Sequence, residues 1–331
     1  MPTPRPTPIN RKMLISLIIN SHAGSHRFDS EPMSDILVRY FTQRDCDVEL
    51  HIADEPYKIP QLAARIAAQH QSRRGVIVAA GGDGTLNSVA QGLIHGSIPM
   101  GIIPLGTFNY AARALGIPLN PLDAAHVVLH GHHHAIHIGC VNQYIYLNNA
   151  SIGLYPRLIE QREYDNTRFG RFRYVAKLSG FATLMHEHQK LKLKLIIDGQ
   201  IKPIESPLVF FGNNQLQLQD YKLNLAECAA MGKLAVVAIT ELSKWQILKL
   251  ITRLQLGTFE KAPEVSAFCA KTIRIESKAW QMKVAIDGEI VHVQTPLHFS
   301  VAKAALTVIV PHHIGHQQNH QNGEGHAPTP L

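Results

Sequence analysis

Residues 75–93, GVIVAAGGDGTLNSVAQGL, have the types and spacing needed to bind a phosphate group. Residues 76–78 are a short apolar run of β-branched side chains, which predicts a buried strand. The glycine-rich turn GGDGT follows at 81–85, and apolar residues then recur at helical spacing. Glycines allow close approach to the backbone, and the free N–H groups where a helix begins favour an anion. The stretch therefore predicts a phosphate site between a strand and a helix.

Asp83, inside this turn, adds a requirement for a cation. A carboxylate repels a bare phosphate, so the pairing makes sense when a metal ion lies between them, most commonly Mg²⁺ with a nucleoside triphosphate. Thr85 adds a hydroxyl donor. Two familiar phosphate loops do not fit, because Gly-Lys-Ser/Thr is missing and Asn87 stands where a dinucleotide loop needs its third glycine. The agreement of strand, loop and helix signals disfavours a plain surface turn.

A second pair of carboxylates, Asp287 and Glu289, flanks a glycine between two apolar runs. Asp-Gly in such a setting predicts a hairpin turn. Residues 197–201, IDGQI, form nearly the same pattern, so the local sequence alone favours a structural turn in both places. Only the turn at 287–289 carries a second carboxylate two residues after the first.

The composition is that of a globular protein with a basic surface. The 331 residues are 45% hydrophobic, and the chain is long enough for two domains. The formal net charge of +7 suits an anionic partner, either nucleic acid or an acidic membrane surface, and we find no nucleic-acid motif. No stretch approaches the length of a transmembrane helix, and the proline-rich N-terminus lacks an apolar signal core, so we expect a cytoplasmic protein.

The four cysteines give no sign of a metal site. Cys46, Cys140, Cys228 and Cys269 are widely spaced, lie mostly in apolar runs and form no C-x-x-C pair. We therefore expect buried thiols rather than disulfides or a zinc site.

Two kinds of pattern divide the chain. From about residue 13 to 118, strands alternate with helices, which predicts a parallel sheet covered on both faces. Its ligand should lie beyond the carboxyl ends of the strands, where the loops 81–85 and 104–109 fall. After the histidine-rich run at 130–137 the polar and apolar residues alternate, which predicts a second, mostly antiparallel β domain.

The ordered set of motifs resembles the diacylglycerol kinase catalytic family, which includes sphingosine and ceramide kinases and bacterial lipid kinases. GGDGT at 81–85, PLGTFN at 104–109 and Asp-Gly-Glu at 287–289 carry the resemblance, which extends from about residue 14 to 310. It implies an N-terminal three-layer α/β nucleotide-binding domain and a C-terminal, mainly antiparallel β-sandwich-like domain for the lipid. In the family the last strand returns to the first domain.

The resulting domain prediction has four parts. Residues 1–11 form a disordered tail, and 12–134 with a returning segment at about 303–312 form the α/β domain. Residues 135–302 form the lipid-substrate domain, and 313–331 form a disordered histidine-rich tail.

By resemblance, the cofactors are ATP and Mg²⁺, and the metal ligand is Asp83. The implied nucleotide contacts are Asn20, Gly81, Gly82, Asp83, Gly84, Thr85, Gly106, Thr107 and Asn109, the last of which should brace its loop. Transfer to a lipid hydroxyl needs a base, which the resemblance assigns to Asp287 or Glu289. One abstracts the proton and the other orients it, and the sequence does not rank them.

Several positions depart from the family pattern. Tyr110 and His137 replace two acids that form a metal and water network with the one matching Asp83. Residues 230–232, Ala-Met-Gly, align with an Asp-Asp-Gly that holds a structural Mg²⁺, so we expect that site to be absent. Ser21 replaces the proline of the family's Asn-Pro turn. These changes put the handling of metal in doubt.

The predicted function is ATP-dependent phosphorylation of diacylglycerol or a related lipid by a protein peripherally associated with the membrane. The alternatives are a sphingoid or long-chain alcohol kinase, and a nucleotide- or lipid-binding protein with degenerate catalysis. NAD phosphorylation shares the GGDGT loop, but the segments at 104–109 and 287–289 argue against it. The basic and aromatic residues of 168–177 fit membrane contact and internal packing equally well. Self-association stays open.

Overall fold

The fold was analysed in a computed structural model of the chain. It describes residues 12–20, 31–70, 75–153, 156, 191–220, 223–239, 246, 249–250, 252–253, 256, 258 and 261–312. The two predicted tails, the turn after Asn20 and the basic segment at 168–177 lie outside the described residues, so the predictions made for them remain predictions.

Four parallel strands form the first part of the larger sheet. They are β1 (Met13–Asn20), β2 (Cys46–Ala53), β3 (Gly75–Gly81) and β4 (Met100–Pro104), in the spatial order β2-β1-β3-β4. Six central residues of β1 and six of β3 are buried, as expected for strands covered on both faces.

Helices alternate with these strands and bury one apolar side each. They are α1 (Met33–Thr42), α2 (Ile59–His70), α3 (Asp83–Leu93), the short α4 (Tyr110–Ala114) and α5 (Pro121–His130). A single 3₁₀ turn, Pro56–Lys58, precedes α2. In α1 the buried residues Met33, Leu37 and Phe41 recur every four positions and pack into the core of the sheet.

Antiparallel strands extend the same sheet into the second half of the chain. The 14-residue strand β16 (Leu297–Val310) pairs with β5 (His132–Val141) along most of its length, and its Val308 lies parallel to Met100 of β4. Beyond β16 lie β13 (Thr272–Glu276), β8 (Leu191–Ile197) and β9 (Gln200–Ser206), while β6 (Tyr144–Tyr146) pairs with β5. Strand β5 continues without a break across residue 134, where the sequence predicted the end of the first domain.

A second sheet of six antiparallel strands covers this extension. Its order is β12-β11-β10-β7-β14-β15, and its strands are β7 (Asn149–Gly153), β10 (Leu208–Gly212), β11 (Leu234–Ile239), β12 (Val265–Ala270), β14 (Gln281–Ile286) and β15 (Glu289–Gln294). Phe211 of this sheet stacks on Phe299 of β16 with ring centroids 3.7 Å apart. The two sheets thus enclose a common core, and the predicted fold class is confirmed.

The prediction for the cysteines was wrong in part. Cys228 and Cys269 form a disulfide, whereas Cys46 and Cys140 are free thiols. Cys228 lies in the short helix α7 (Ala226–Ala230), which leads into β11, and β12 brings Cys269 opposite Ala235 of that strand. The sequence separation of 41 positions between the two cysteines hides this proximity.

Among the described residues, none of the helices has both the length and the apolarity needed to cross a bilayer.

Candidate active site

The residues predicted to bind nucleotide lie where the neighbouring parallel strands β1, β3 and β4 end. Asn20 ends β1 opposite Ala53 of β2, and Gly81 ends β3 opposite Pro104 of β4. Because β1 also pairs with β3, the residues predicted to bind nucleotide lie along one edge of the sheet. This carboxyl edge is where open α/β sheets bind ligands.

The two glycine loops pack backbone against backbone. A Cβ atom placed on Gly106 would lie 2.6 Å from Cα of Gly82, and one placed on Gly81 would lie 2.6 Å from Cβ of Thr85. Gly82 precedes α3 in an extended conformation, so the first free N–H groups of this 11-residue helix point out of the loop. The contact requires glycine at these positions and keeps the anion-binding amides in place.

Asn109 closes the second loop. Its Oδ1 accepts a hydrogen bond from the Gly106 N–H, and its Nδ2 donates to the Gly106 carbonyl, both at 2.9 Å. Asn109 has a φ of 50° and is 6% exposed, a left-handed conformation that asparagine tolerates better than most residues. Within the loop Thr107 is exposed.

Asp83 is held by three N–H donors. Its Oδ2 accepts from the Tyr110 N–H at 3.2 Å, while Oδ1 accepts from the Ala111 N–H at 3.0 Å and from Nδ2 of Asn148 at 3.2 Å. The carboxylate therefore fastens α3 to α4 and to the second sheet. A carboxylate offers about four lone-pair positions, so these contacts leave room for a cation on Oδ2.

Asp287 belongs to the second sheet and is linked to Asp83 through Asn148. It lies in the turn between β14 and β15 with a φ of 47°, and its carboxylate accepts the backbone N–H groups of Leu147, Asn148 and Asn149 at 2.7–2.9 Å. Burial is the largest influence on the group and raises its pKa, the three N–H donors lower it, and the charge of Asp83 raises it further. The balance places the pKa of Asp287 at about 7.

Glu289 lies directly over the first glycine loop. A methyl group on Gly84 would overlap Oε1 of Glu289, which places this carboxylate against the first turn of α3. Glu289 is exposed, whereas Asp287 is partly buried. Both predicted catalytic acids are thus brought to the predicted phosphate loop.

The similar turn at 198–200 provides a comparison within the chain. Asp198 also has a positive φ, 48°, and also accepts two backbone N–H groups, from Lys271 and Thr272 at 2.9 Å. The aspartate of each Asp-Gly turn therefore braces a neighbouring strand. What distinguishes the turn at 287–289 is Glu289 and its contact with Gly84.

Sequence reasoning missed a group of buried amides beneath the carboxylates. These side chains are 2–8% exposed and belong to Asn148, Asn149, Asn214 and Gln217. Asn214 lies just before the short helix α6 (Gln215–Asp220) and donates to Oδ1 of Asn148 at 2.7 Å. The Asn-Asn pairs at 148–149 and 213–214, each directly following an apolar strand, were the available signal.

Two of the positions that depart from the family pattern line a cavity of about 440 Å³. His137 and Ala230 line it, next to apolar side chains of β4, α4 and β16. His137 accepts the Ala304 N–H on Nδ1 at 3.1 Å, and Tyr110 contributes its backbone N–H to Asp83. Within the described ranges, no group of three or more His, Cys, Asp or Glu side chains is placed to hold a metal ion.

A second cavity, of about 620 Å³, opens at the end of β2. Its lining includes Ala53, Tyr57, Lys58 and Arg65. Because Ala53 pairs with Asn20, the cavity lies along the same edge of the sheet as the glycine loops, beyond the end of β1.

Comparison with known families follows the same division of the chain. Residues 15–141 match the profile of the diacylglycerol kinase catalytic domain, and residues 152–310 match that of the YegS C-terminal NAD kinase beta sandwich-like domain. The chain therefore carries a diacylglycerol kinase catalytic domain followed by a C-terminal domain of the YegS type. This pair of domains indicates a phosphotransferase of the lipid kinase type.

Individual members of the family agree with this assignment. Proteins named diacylglycerol kinase from Staphylococcus aureus strains RF122 and JH9 are each 28% identical over 246 residues, covering 73% of this chain and 76% of theirs. A crystal structure described as a diacylglycerol kinase from Bacillus anthracis strain Sterne aligns with a TM-score of 0.60 at 20% identity, covering 92% of this chain and 98% of that one. Another structure from the same strain gives a TM-score of 0.65 at 23% identity, with the same coverage. The structural alignments establish the shared fold.

Proposed function

We propose that the protein transfers the γ-phosphoryl group of ATP to the hydroxyl group of diacylglycerol or a related lipid. The observation that carries this proposal is the placement of Glu289 against Gly84. A carboxylate from the β-sandwich thereby meets a phosphate-type loop of the α/β domain. Phosphoryl transfer to an alcohol needs such a base beside the phosphate.

The arrangement of the strand ends supports ATP as donor. The N–H groups of residues 82–84 and the Thr85 hydroxyl would hold the phosphates, and the loop of Gly106, Thr107 and Asn109 would close over them. Parallel strands are about 4.8 Å apart, so the cavity beside Ala53 lies two strands, roughly 10 Å, from Gly81. That span and the 620 Å³ volume suit the nucleoside end, with Asn20 between the two.

Asp83 would hold Mg²⁺ through Oδ2. Mg²⁺ prefers oxygen ligands and commonly binds through one carboxylate together with water and phosphate oxygens, which fits a site with a single acid. The metal supplies charge neutralisation of the phosphates. The three N–H groups on Asp83 keep its carboxylate oriented toward the loop.

The two acids of the turn take different roles in this proposal. Three backbone N–H groups engage both oxygens of Asp287, so it orients the turn. Glu289 is exposed to an incoming substrate and lies against the loop, so it would accept the proton of the lipid hydroxyl.

The lipid acceptor implies work at a membrane surface. The net charge of +7 favours peripheral association with anionic lipids from the cytoplasmic side, and nucleic acid is not a proposed partner. Sphingoid and other long-chain alcohols are acceptors of the same chemical type, and the described residues do not separate them from diacylglycerol.

The test is transfer of labelled phosphate from ATP to a panel of lipids in mixed micelles, with and without Mg²⁺. We expect transfer to one lipid class that requires Mg²⁺ and is lost in Asp83→Asn. The second candidate is a nucleotide- or lipid-binding protein with lost catalysis, favoured by Tyr110, His137 and Met231 at the positions of family acids. Bound ATP without transfer to any lipid would establish that candidate instead.

A further inference from the structure

Asn148 lies between Asp83 and Asp287, two partly buried carboxylates of the candidate active site. It links β6 to β7 and is 2% exposed. Its backbone N–H donates to Oδ1 of Asp287 at 2.9 Å, and its side-chain Nδ2 donates to Oδ1 of Asp83 at 3.2 Å. One residue therefore contacts a carboxylate from each half of the molecule.

The orientation of the Asn148 side chain is fixed by its neighbours. An ionised carboxylate only accepts hydrogen bonds, so the Nδ2 atom of Asn148 must face Asp83. Oδ1 of Asn148 faces the other way and accepts from Nδ2 of Asn214 at 2.7 Å. Asn214 is held in turn, because its Nδ2 also donates to the Tyr110 carbonyl and its Oδ1 accepts the Gln217 N–H.

The chemistry of an amide suits this place. A lysine or arginine between two carboxylates would neutralise Asp83 and compete with a metal ion for it. The neutral side-chain amide donates to Asp83 without removing its charge, while the backbone N–H of the same residue donates to Asp287. Buried amides with satisfied hydrogen bonds keep one conformation. The two acids are therefore held at a defined separation across the boundary between the sheets.

We propose that Asn148 is a positioning residue for phosphoryl transfer. It holds the glycine loop, through Asp83, and the turn at 287–289, through Asp287, at the separation that the reaction needs. This inference rests on the proposed function. Small misplacements of reacting groups reduce rates strongly, so loss of the side-chain contact should act on the chemical step.

Asn149 offers a matched control. It is 8% exposed and belongs to the same amide group, but its side-chain Nδ2 donates to Oε1 of Gln217 at 2.9 Å rather than to a carboxylate. Its backbone N–H bond to Asp287 survives substitution. Asn149→Ala therefore removes a comparable buried amide without touching the link to Asp83.

The test compares kcat, the KM values for ATP and lipid, and Tm for Asn148→Ala, Asn149→Ala and wild type. We expect Asn148→Ala to lower kcat roughly 10- to 100-fold, the effect of losing a hydrogen bond to a charged group. The lipid KM should stay within about threefold, and Asn149→Ala should change kcat less than about threefold at a similar loss of Tm. Asn148→Ser, whose hydroxyl is too short to reach Asp83, replaces the alanine variant if that fails to fold.

Two results would overturn the inference. One is an equal loss of kcat in Asn148→Ala and Asn149→Ala that parallels their loss of Tm. The other is an unchanged kcat in Asn148→Ala. A double-mutant cycle on Tm, which requires no enzymatic activity, tests the role of Asn148 separately from the proposed function. The Tm shifts of Asn148→Ala and Asp83→Asn should be non-additive, because their side chains are hydrogen-bonded to each other. The coupling between Asn149→Ala and Asp83→Asn should be smaller, because these side chains are linked indirectly, through Gln217, Asn214 and Asn148. If wild type phosphorylates no lipid, the proposed function fails, and additive shifts in the first pair would overturn the role of Asn148 independently.

Discussion

At the scale of single residues, the site depends on how three carboxylates are held. Asp83 and Asp287 each accept three N–H donors, while Glu289 is exposed over the glycine loop. Donors of this kind orient a carboxylate without neutralising it. Two of the three acids thus have their carboxylates held by N–H donors, and the third is exposed beside the glycine loop.

Gly84→Ala should lower activity without lowering stability. Alanine favours an α-helix over glycine by about 1 kcal/mol, but its methyl group would overlap Oε1 of Glu289 and displace that carboxylate. We expect kcat to fall at least about tenfold while Tm is unchanged or slightly higher. Steady-state kinetics and calorimetric unfolding measure the two, and full activity in this variant would show that Glu289 does not need its place beside Gly84.

Asp287 should make the stability of the protein depend on pH. Its pKa of about 7 lies above the ordinary value of 3.8, so between these pH values the folded chain retains a proton that the unfolded chain has released. The free energy of unfolding then falls as pH rises from about 4 to 7, by up to roughly 1.4 kcal/mol per pH unit from this group. Denaturant unfolding of wild type and Asp287→Asn at several pH values isolates the contribution. A difference between them that does not change with pH would contradict it.

At the scale of the elements, a few local patterns were sufficient to predict how the site is assembled. The run VIV, the turn GGDGT and the helical spacing after it predicted β3, its loop and α3, because all three signals are local. The Asp-Gly turn between β14 and β15 followed from turn chemistry in the same way. The functional meaning of these elements came from the resemblance, since the turn at Asp198 has the same local form.

Elements defined by distant partners could not be predicted. The run HGHHHAIH begins β5 because β16, more than 150 residues later, pairs with it, and no local signal shows this. The disulfide and the amide group under the acids depend likewise on strands that meet only in the folded chain. Sequence patterns report backbone preferences, whereas these contacts are properties of tertiary packing.

Substitution of Asn109 should separate the loop's hydrogen bonds from its conformation. Asn109→Gly keeps the left-handed conformation and loses both bonds to Gly106, whereas Asn109→Ala adds strain as well. We expect the KM for ATP to rise roughly tenfold in the glycine variant and further in the alanine variant, because the loop over the phosphates loosens. Kinetics at saturating lipid measure this, and an unchanged KM in both variants would remove the loop from the nucleotide site.

At the scale of the whole molecule, strand β16 joins the parallel part of the larger sheet to the β-sandwich. It pairs with β5 along most of its length, lies parallel to β4 near its end and packs Phe299 into the sandwich core. The parallel sheet provides loops for phosphate, and the sandwich provides the turn with Asp287 and Glu289. The union of these structures supports a kinase more than either alone, since the proposed phosphate site and the proposed base come from different halves.

The most direct test of that claim is the rate of phosphate transfer by Glu289→Gln, compared with wild type and Glu205→Gln. Glu205 is also exposed but lies in β9 at the edge of the larger sheet, so it controls for removal of a sandwich carboxylate. We predict that Glu289→Gln lowers kcat at least about 100-fold with ATP affinity by calorimetry unchanged, while Glu205→Gln keeps the wild-type rate. Transfer by Glu289→Gln at the wild-type rate would contradict the account, because the base would then lie elsewhere.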